Sequence, residues 1–203
     1  MKRSLLILAL SLFAANLFAQ TNENIGFIGI VMGPSIPLGD FADKSPANEN
    51  ADYAKTGYSD SFINFGYKIF KNFGVCASFS YNQYDVDKSG TDTWWMLVGI
   101  AAGPMFSFPV KKKFYFDLKP KLGYMLTNLV IDGFANEVNM GSGGGIDLRA
   151  SFRYNFARRW CILTEAGYIY TNQKFPDGRK KKMQAITPQI GIAYRFNIKA
   201  DNR

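Results

Sequence analysis

Ala185-Ile186-Thr187-Pro188-Gln189-Ile190-Gly191-Ile192-Ala193-Tyr194-Arg195-Phe196 is the run on which the reading of this chain turns. At strand period, Ile186, Pro188, Ile190, Ile192, Tyr194 and Phe196 share one side, and Thr187, Gln189, Gly191, Ala193 and Arg195 share the other. The first side is greasy and ends in two aromatics; the second is small or polar. A membrane-spanning barrel needs such two-faced strands, apolar toward lipid and small or polar toward a narrow interior.

Seven further stretches repeat the pattern: Ile25–Pro37, Ser61–Phe70, Phe73–Tyr84, Thr93–Phe108, Phe114–Leu126, Gly143–Phe156 and Trp160–Asn172. Long polar segments follow the first, third, fifth and seventh strands (40–60, 85–92, 127–142 and 173–184). Short turns follow the second, fourth and sixth, at Lys71-Asn72, Lys111–Lys113 and Ala157–Arg159. That alternation predicts an all-β fold, an eight-stranded antiparallel up-and-down transmembrane β-barrel. Short turns and both termini then face the periplasm, and longer loops face outward.

A soluble barrel with the apolar faces turned inward is the rival, and volume argues against it. Eight strands enclose a space just wide enough for side chains, and the apolar faces carry too many Phe, Tyr, Ile and Trp to fit. The opposite faces carry Gly66, Gly99, Gly103, Gly123, Gly167, Gly191 and Ala101, suited to a tight interior. Aromatics also recur at strand ends (Phe70, Phe73, Phe108, Phe114, Phe156, Trp160, Phe196), as a periplasmic girdle requires.

The 203 residues include 18 Phe and 11 Tyr, and no stretch reaches the length of about 20 apolar residues that a transmembrane helix needs. Met1-Lys2-Arg3, the apolar run Leu5–Leu17 and Phe18-Ala19-Gln20 read as a secretory signal peptide over residues 1–20, ahead of a barrel domain over 21–203. Removing Lys2 and Arg3 from the 24 basic side chains leaves 22 against 16 acidic ones, a formal +6. For an exported chain this favours anionic lipid headgroups and argues against a nucleic-acid partner. Histidine is absent, which removes His-based triads, general bases and metal ligands together. Cys76 and Cys161 fall on the third and seventh strands, across the barrel and beyond the ~7 Å Cα reach of a disulfide, so two free thiols are expected.

The stretch Gln189–Phe196 resembles the C-terminal assembly signal of outer-membrane proteins, with Gln189, Gly191, Tyr194 and Phe196 at the characteristic places. Together with Gly33-Pro34 and Pro37-Leu38-Gly39-Asp40-Phe41, it makes the chain similar to the small eight-stranded outer-membrane β-barrels of OmpA/OmpX-like type, including barrels common in Bacteroidota. The resemblance implies export to the cell outer membrane and handling by the outer-membrane assembly machinery. It specifies activity hardly at all.

Three groups carry candidate chemistry. Lys68, Asp117, Lys119, Lys121, Asp147, Arg149, Arg153, Glu165 and Arg195 all point inward, and folding strands six and seven about Ala157 is expected to bring Arg149 level with Glu165. Charges in so narrow a space must be satisfied by ion pairs, which predicts a structural plug rather than a polar conduit. Lys174, Arg179, Lys180, Lys181 and Lys182 form a basic fourth loop able to meet lipopolysaccharide phosphates. Asp85-Val86-Asp87-Lys88-Ser89-Gly90 opens like a calcium loop, but Met96 stands where the bidentate Glu belongs, so a plain turn is expected. These features predict a monomeric, non-enzymatic protein of the envelope, without cofactor or metal, acting structurally or through its surface loops. A narrow porin-like channel and a lipid-modifying barrel enzyme are the alternatives.

Overall fold

Strands with one apolar and one small or polar face are stable only when the two faces meet different surroundings, and closing the sheet on itself provides them. The computed structural model describes residues 25–48, 50–87, 93–131 and 138–197. Eight antiparallel strands close into a barrel: β1 (Ile25–Leu38), β2 (Gly57–Lys68), β3 (Phe73–Asp85), β4 (Thr93–Lys111), β5 (Phe114–Ile131), β6 (Val138–Tyr154), β7 (Trp160–Lys174) and β8 (Lys180–Asn197). Each pairs with its sequence neighbour, and β8 closes on β1, with Ile28 opposite Tyr194 and Leu38 opposite Gln184. No edge is left to recruit another chain.

The strands outrun the lengths expected from alternation. Residues 57–60, expected as loop, belong to β2 and pair with β3, Tyr58 opposite Gln83 and Asp60 opposite Tyr81. The fourth loop, expected over 173–184, shrinks because Lys174 pairs with Lys180 and Asn172 with Lys182. The cause is physical: beyond the apolar belt a strand can be polar on both sides, so hydropathy no longer reports it. A register shift between Ser61 and Ile63 turns both Phe62 and Ile63 outward. Pairing lapses where residues 33–35 face 187–189 and where 103–105 face 119–121. Each lapse holds two prolines, Pro34 with Pro188 and Pro104 with Pro120, which lack the N–H a ladder needs.

The outer surface is apolar. Leu122 is 72% exposed, Ile100 63% and Ile190 59%. Phe108, Phe114, Phe156 and Trp160 stand exposed at the short-turn end, where Phe114 stacks on Tyr154 at 4.5 Å and Trp160 meets Tyr194 edge-on at 5.4 Å. Leaving such side chains in water forfeits about 1.5–3 kcal/mol each. This surface calls for lipid.

The interior holds large apolar side chains beside the small and polar residues expected there; it has three levels. Toward the long loops lies an apolar cluster that includes Tyr84, Trp95, Leu97, Met125, Ile169 and Met183. Toward the short turns lies another, of Phe27, Val31, Cys76, Met105, Cys161, Leu163 and Ala193. Charged side chains occupy the level between and reach into the lower one, where Arg153 lies over Phe27. The inward Trp95 and Leu97 escaped notice because Trp94-Trp95-Met96-Leu97 is apolar on both faces, which erases the alternation. Small residues make the room: a Cβ on Gly66 would lie 2.4 Å from the ring of Phe27, its partner on β1.

Candidate functional site in the barrel lumen

The middle level is a connected ion network. Lys119 donates to Glu165 through a short ion pair, and Glu165 also accepts from Asn64 Nδ2 at 2.9 Å and lies 3.5 Å from Arg149 Nη1. Arg149 Nε donates to Asp147 at 2.8 Å, and Asp147 pairs with Lys121 Nζ at 2.7 Å. Lys121 donates onward to Ser78 Oγ at 2.7 Å. Arg149 also donates to Gln189 Oε1, and Gln189 Nε2 donates to Ser59 Oγ at 2.9 Å. Ser59 Oγ donates to Asn82 Oδ1 at 2.6 Å, and Asn82 reaches the carbonyl of Leu97 at 3.4 Å. The chain of contacts thus crosses every strand from β2 to β8.

Below it, Arg153 pairs with Asp117 at 3.1 Å, donates to Ser107 Oγ at 3.2 Å and lies over the rings of Phe27 and Tyr115 at 4.8 and 4.7 Å. Lys68 lies 5.6 Å from the centre of the Tyr115 ring. Among the described residues, the buried wall therefore holds five cations (Lys68, Lys119, Lys121, Arg149, Arg153) against three carboxylates (Asp117, Asp147, Glu165). Ion pairs meet part of that excess and aromatic faces take up more. Both thiols are free and buried; Cys76 Sγ lies 3.4 Å from the Gly103 carbonyl and Cys161 Sγ 3.6 Å from that of Ala193.

At the long-loop mouth the segment after β1 folds back over the opening. A single 3-10 turn, Gly39–Phe41, delivers Phe41 against Tyr84 at 4.8 Å and Trp95 at 6.4 Å. Trp95 Nε1 donates to the carbonyl of Asp52 at 3.2 Å, and Tyr84 shares a 2.7 Å hydrogen bond with Ser35 Oγ. Lys181 forms a short ion pair with Asp52 and lies over the Trp95 ring. Ala54 bridges to Val86, while Asp87 is held by Lys44 at 2.5 Å and Lys55 at 2.9 Å. These two ammonium groups hold the Asp87 carboxyl below the usual carboxylate range. A polar loop with no periodicity in sequence is thus a lid, tied down by contacts from distant strands.

The family model described as the outer membrane protein beta-barrel domain matches residues 5–196. The chain belongs to this outer membrane protein family. Comparison with curated protein sequences returns no match. Among solved structures, Neisserial surface protein A matches with a TM-score of 0.56 at 15% identity, over 86% of this chain and 98% of that one. Ail, the attachment invasion locus protein of Yersinia pestis, matches at 0.51 with 20% identity, over 86% of this chain and all of the other (100%). A major outer membrane protein of Thermus thermophilus matches at 0.51 with 10% identity, over the same 86% of this chain and 100% of that one. These likenesses speak for the fold.

As an outer membrane barrel the protein lies in the cell outer membrane, its short turns periplasmic and its longer loops extracellular. The lid is then the extracellular mouth. Of the nine inward charges, eight are buried in the wall and make contacts across strands; Arg195 sits at the periplasmic rim, where its Nη1 lies 3.4 Å from the Arg158 carbonyl. The β6–β7 register differs from expectation: Arg149 faces Gly167, and Glu165 faces Ser151, two residues along. The long arginine spans that offset diagonally. Lys180, Lys181 and Lys182 lie on β8 rather than in a loop, and Lys181 is committed to the lid. Lys174, Arg179, Lys180 and Lys182 remain exposed or half-exposed on the outer hairpin. Of the assembly-signal residues, Gln189 is buried in the network and Phe196 covers Gly26 at the β1–β8 seam. In the calcium-like stretch Asp85 ends β3 and Asp87 is held by lysines, while residues 88–90 lie outside the described residues. The sequence reading missed the lid altogether; its clearest signal was Phe41, the single Phe of that segment.

Proposed function

We propose that this outer membrane barrel is a sealed, non-enzymatic envelope protein that conducts no solute and acts structurally and through its outer surface. One observation carries the reading: the lumen is filled at three successive levels, by lid and apolar cluster, by ion network, and by a second apolar cluster. A lumen whose wall charges pair with one another, between levels packed with apolar side chains, holds a fold together but offers no continuous polar path. Residues 1–20 direct export and are removed, leaving a domain from residue 21. Gln189, Gly191, Tyr194 and Phe196 present β8 to the assembly machinery, and the product is a monomer. Lys174, Arg179, Lys180 and Lys182 meet the phosphates of lipopolysaccharide. The likeness to Ail, crystallised with the heparin analogue sucrose octasulfate at a TM-score of 0.52 and 19% identity, supports an anionic surface partner for such a barrel. Planar-bilayer recording tests the sealed lumen. Silence is expected; steady single-channel steps from purified, folded protein refute it and favour the narrow channel.

A further inference from the structure

The periplasmic end carries a feature that neither the sealed lumen nor the loops use. Between the β4–β5 and β6–β7 turns lies a cavity of about 270 Å³. Lys112, Lys113, Arg158 and Arg195 line it, and among the described residues no carboxylate does. The nearby Asp117 already pairs with Arg153. The two turns are tied together by Asn155 N donating to the Lys113 carbonyl at 2.9 Å, and β8 is tied to the second of them by Arg195 N donating to the Arg159 carbonyl at 2.7 Å. The backbone from which these cations extend is therefore fixed, while Lys112, Lys113 and Arg158 themselves stand exposed.

Two more observations point to an occupant. Asn155 lines the cavity with only 7% of its surface exposed, and its Oδ1 has no hydrogen-bond partner. That oxygen accepts from a donor on the ligand, such as a headgroup hydroxyl. Phe156, also in the lining, is 43% exposed on the outer girdle, so the cavity opens where lipid begins. Four like charges around one space repel one another, and an anion entering it relieves that repulsion.

We infer that this cavity binds a phosphate group, with the phosphodiester of an anionic phospholipid from the inner leaflet as the occupant favoured by the Phe156 doorway. Its oxygens take charge-assisted hydrogen bonds from the lysines and arginines, while an acyl chain lies along Phe156. A choline headgroup, carrying its own cation into the same wall, binds less well.

Native mass spectrometry of the barrel in zwitterionic detergent with added phosphatidylglycerol tests this. Wild type is expected to retain one lipid, and Lys113→Gln/Arg158→Gln to bind about twenty-five-fold more weakly, at roughly fivefold per cation removed. Lys113→Arg/Arg158→Lys keeps binding, and Lys71→Gln, at another periplasmic turn, leaves it unchanged. Displacement by inorganic phosphate at millimolar levels assigns the site to free phosphate; persistence assigns it to the lipid headgroup. Equal retention by the doubly neutralised variant overturns the inference. Should that variant fail to fold, equal retention of phosphatidylcholine and phosphatidylglycerol by wild type overturns it instead.

Discussion

Replacing Glu165 by Leu removes the hub of the lumen. The carboxylate is 2% exposed, accepts from Lys119 and from Asn64 at 2.9 Å, and lies 3.5 Å from Arg149. Without it, the buried wall holds the same five cations against two carboxylates, Asp117 and Asp147, and Lys119 keeps a long 3.4 Å contact to Asn64 Oδ1 and the Phe27 ring at 5.2 Å. Stranding a buried charge in this way costs about 3–5 kcal/mol. Lys119→Met/Glu165→Leu removes both partners and leaves Arg149 with Asp147 and Gln189. Replacing a buried pair by apolar groups is often neutral or better, so most of the loss is recovered. Urea unfolding in lipid vesicles, followed by tryptophan fluorescence and by the gel shift of the folded barrel, gives both values. A single variant within about 1 kcal/mol of wild type, or a double variant no more stable than the single, refutes the network as described.

Gly66→Ala places a methyl 2.4 Å from the Phe27 ring, so the ring must move. Overpacking of this kind costs about 1–3 kcal/mol, and Phe27→Leu in the same chain relieves it; a Gly66→Ala barrel as stable as wild type contradicts the packing. At the extracellular mouth, hydrogen bonds from Lys44 and Lys55 depress Asp87. A carboxyl lowered by folding contributes stability that is present above the ordinary carboxylate range and is lost as pH falls through the depressed value. Amide exchange at Lys55 and Asp87, which bond to the carbonyls of Asp85 and Tyr53, should therefore stay slow in mild acid relative to intrinsic rates and rise only in strong acid. Asp87→Asn should abolish that pH dependence; loosening already in mild acid speaks against the clip.

The division between what the chain states locally and what only its closure decides is visible in particular residues. Alternation such as Ile190-Gly191-Ile192-Ala193 reports which side of a strand meets lipid, because that contrast is written into neighbouring side chains. From it follow the strand number, the closed topology and the inward direction of Lys119, Asp147, Arg149 and Glu165. Sequence was silent where a strand is apolar on both faces, as at Trp95 and Leu97, and where it is polar on both, as at Lys180–Lys182. Contacts between distant segments were beyond it as well. Asp52 meets Lys181, Phe41 covers Tyr84, and Arg149 reaches Glu165 diagonally, because the stagger of a closed barrel and the return of its first loop set those distances. Hydropathy determined that this is a barrel, which way its strands face and that its inward charges must pair; shear and closure decided which pairs they form.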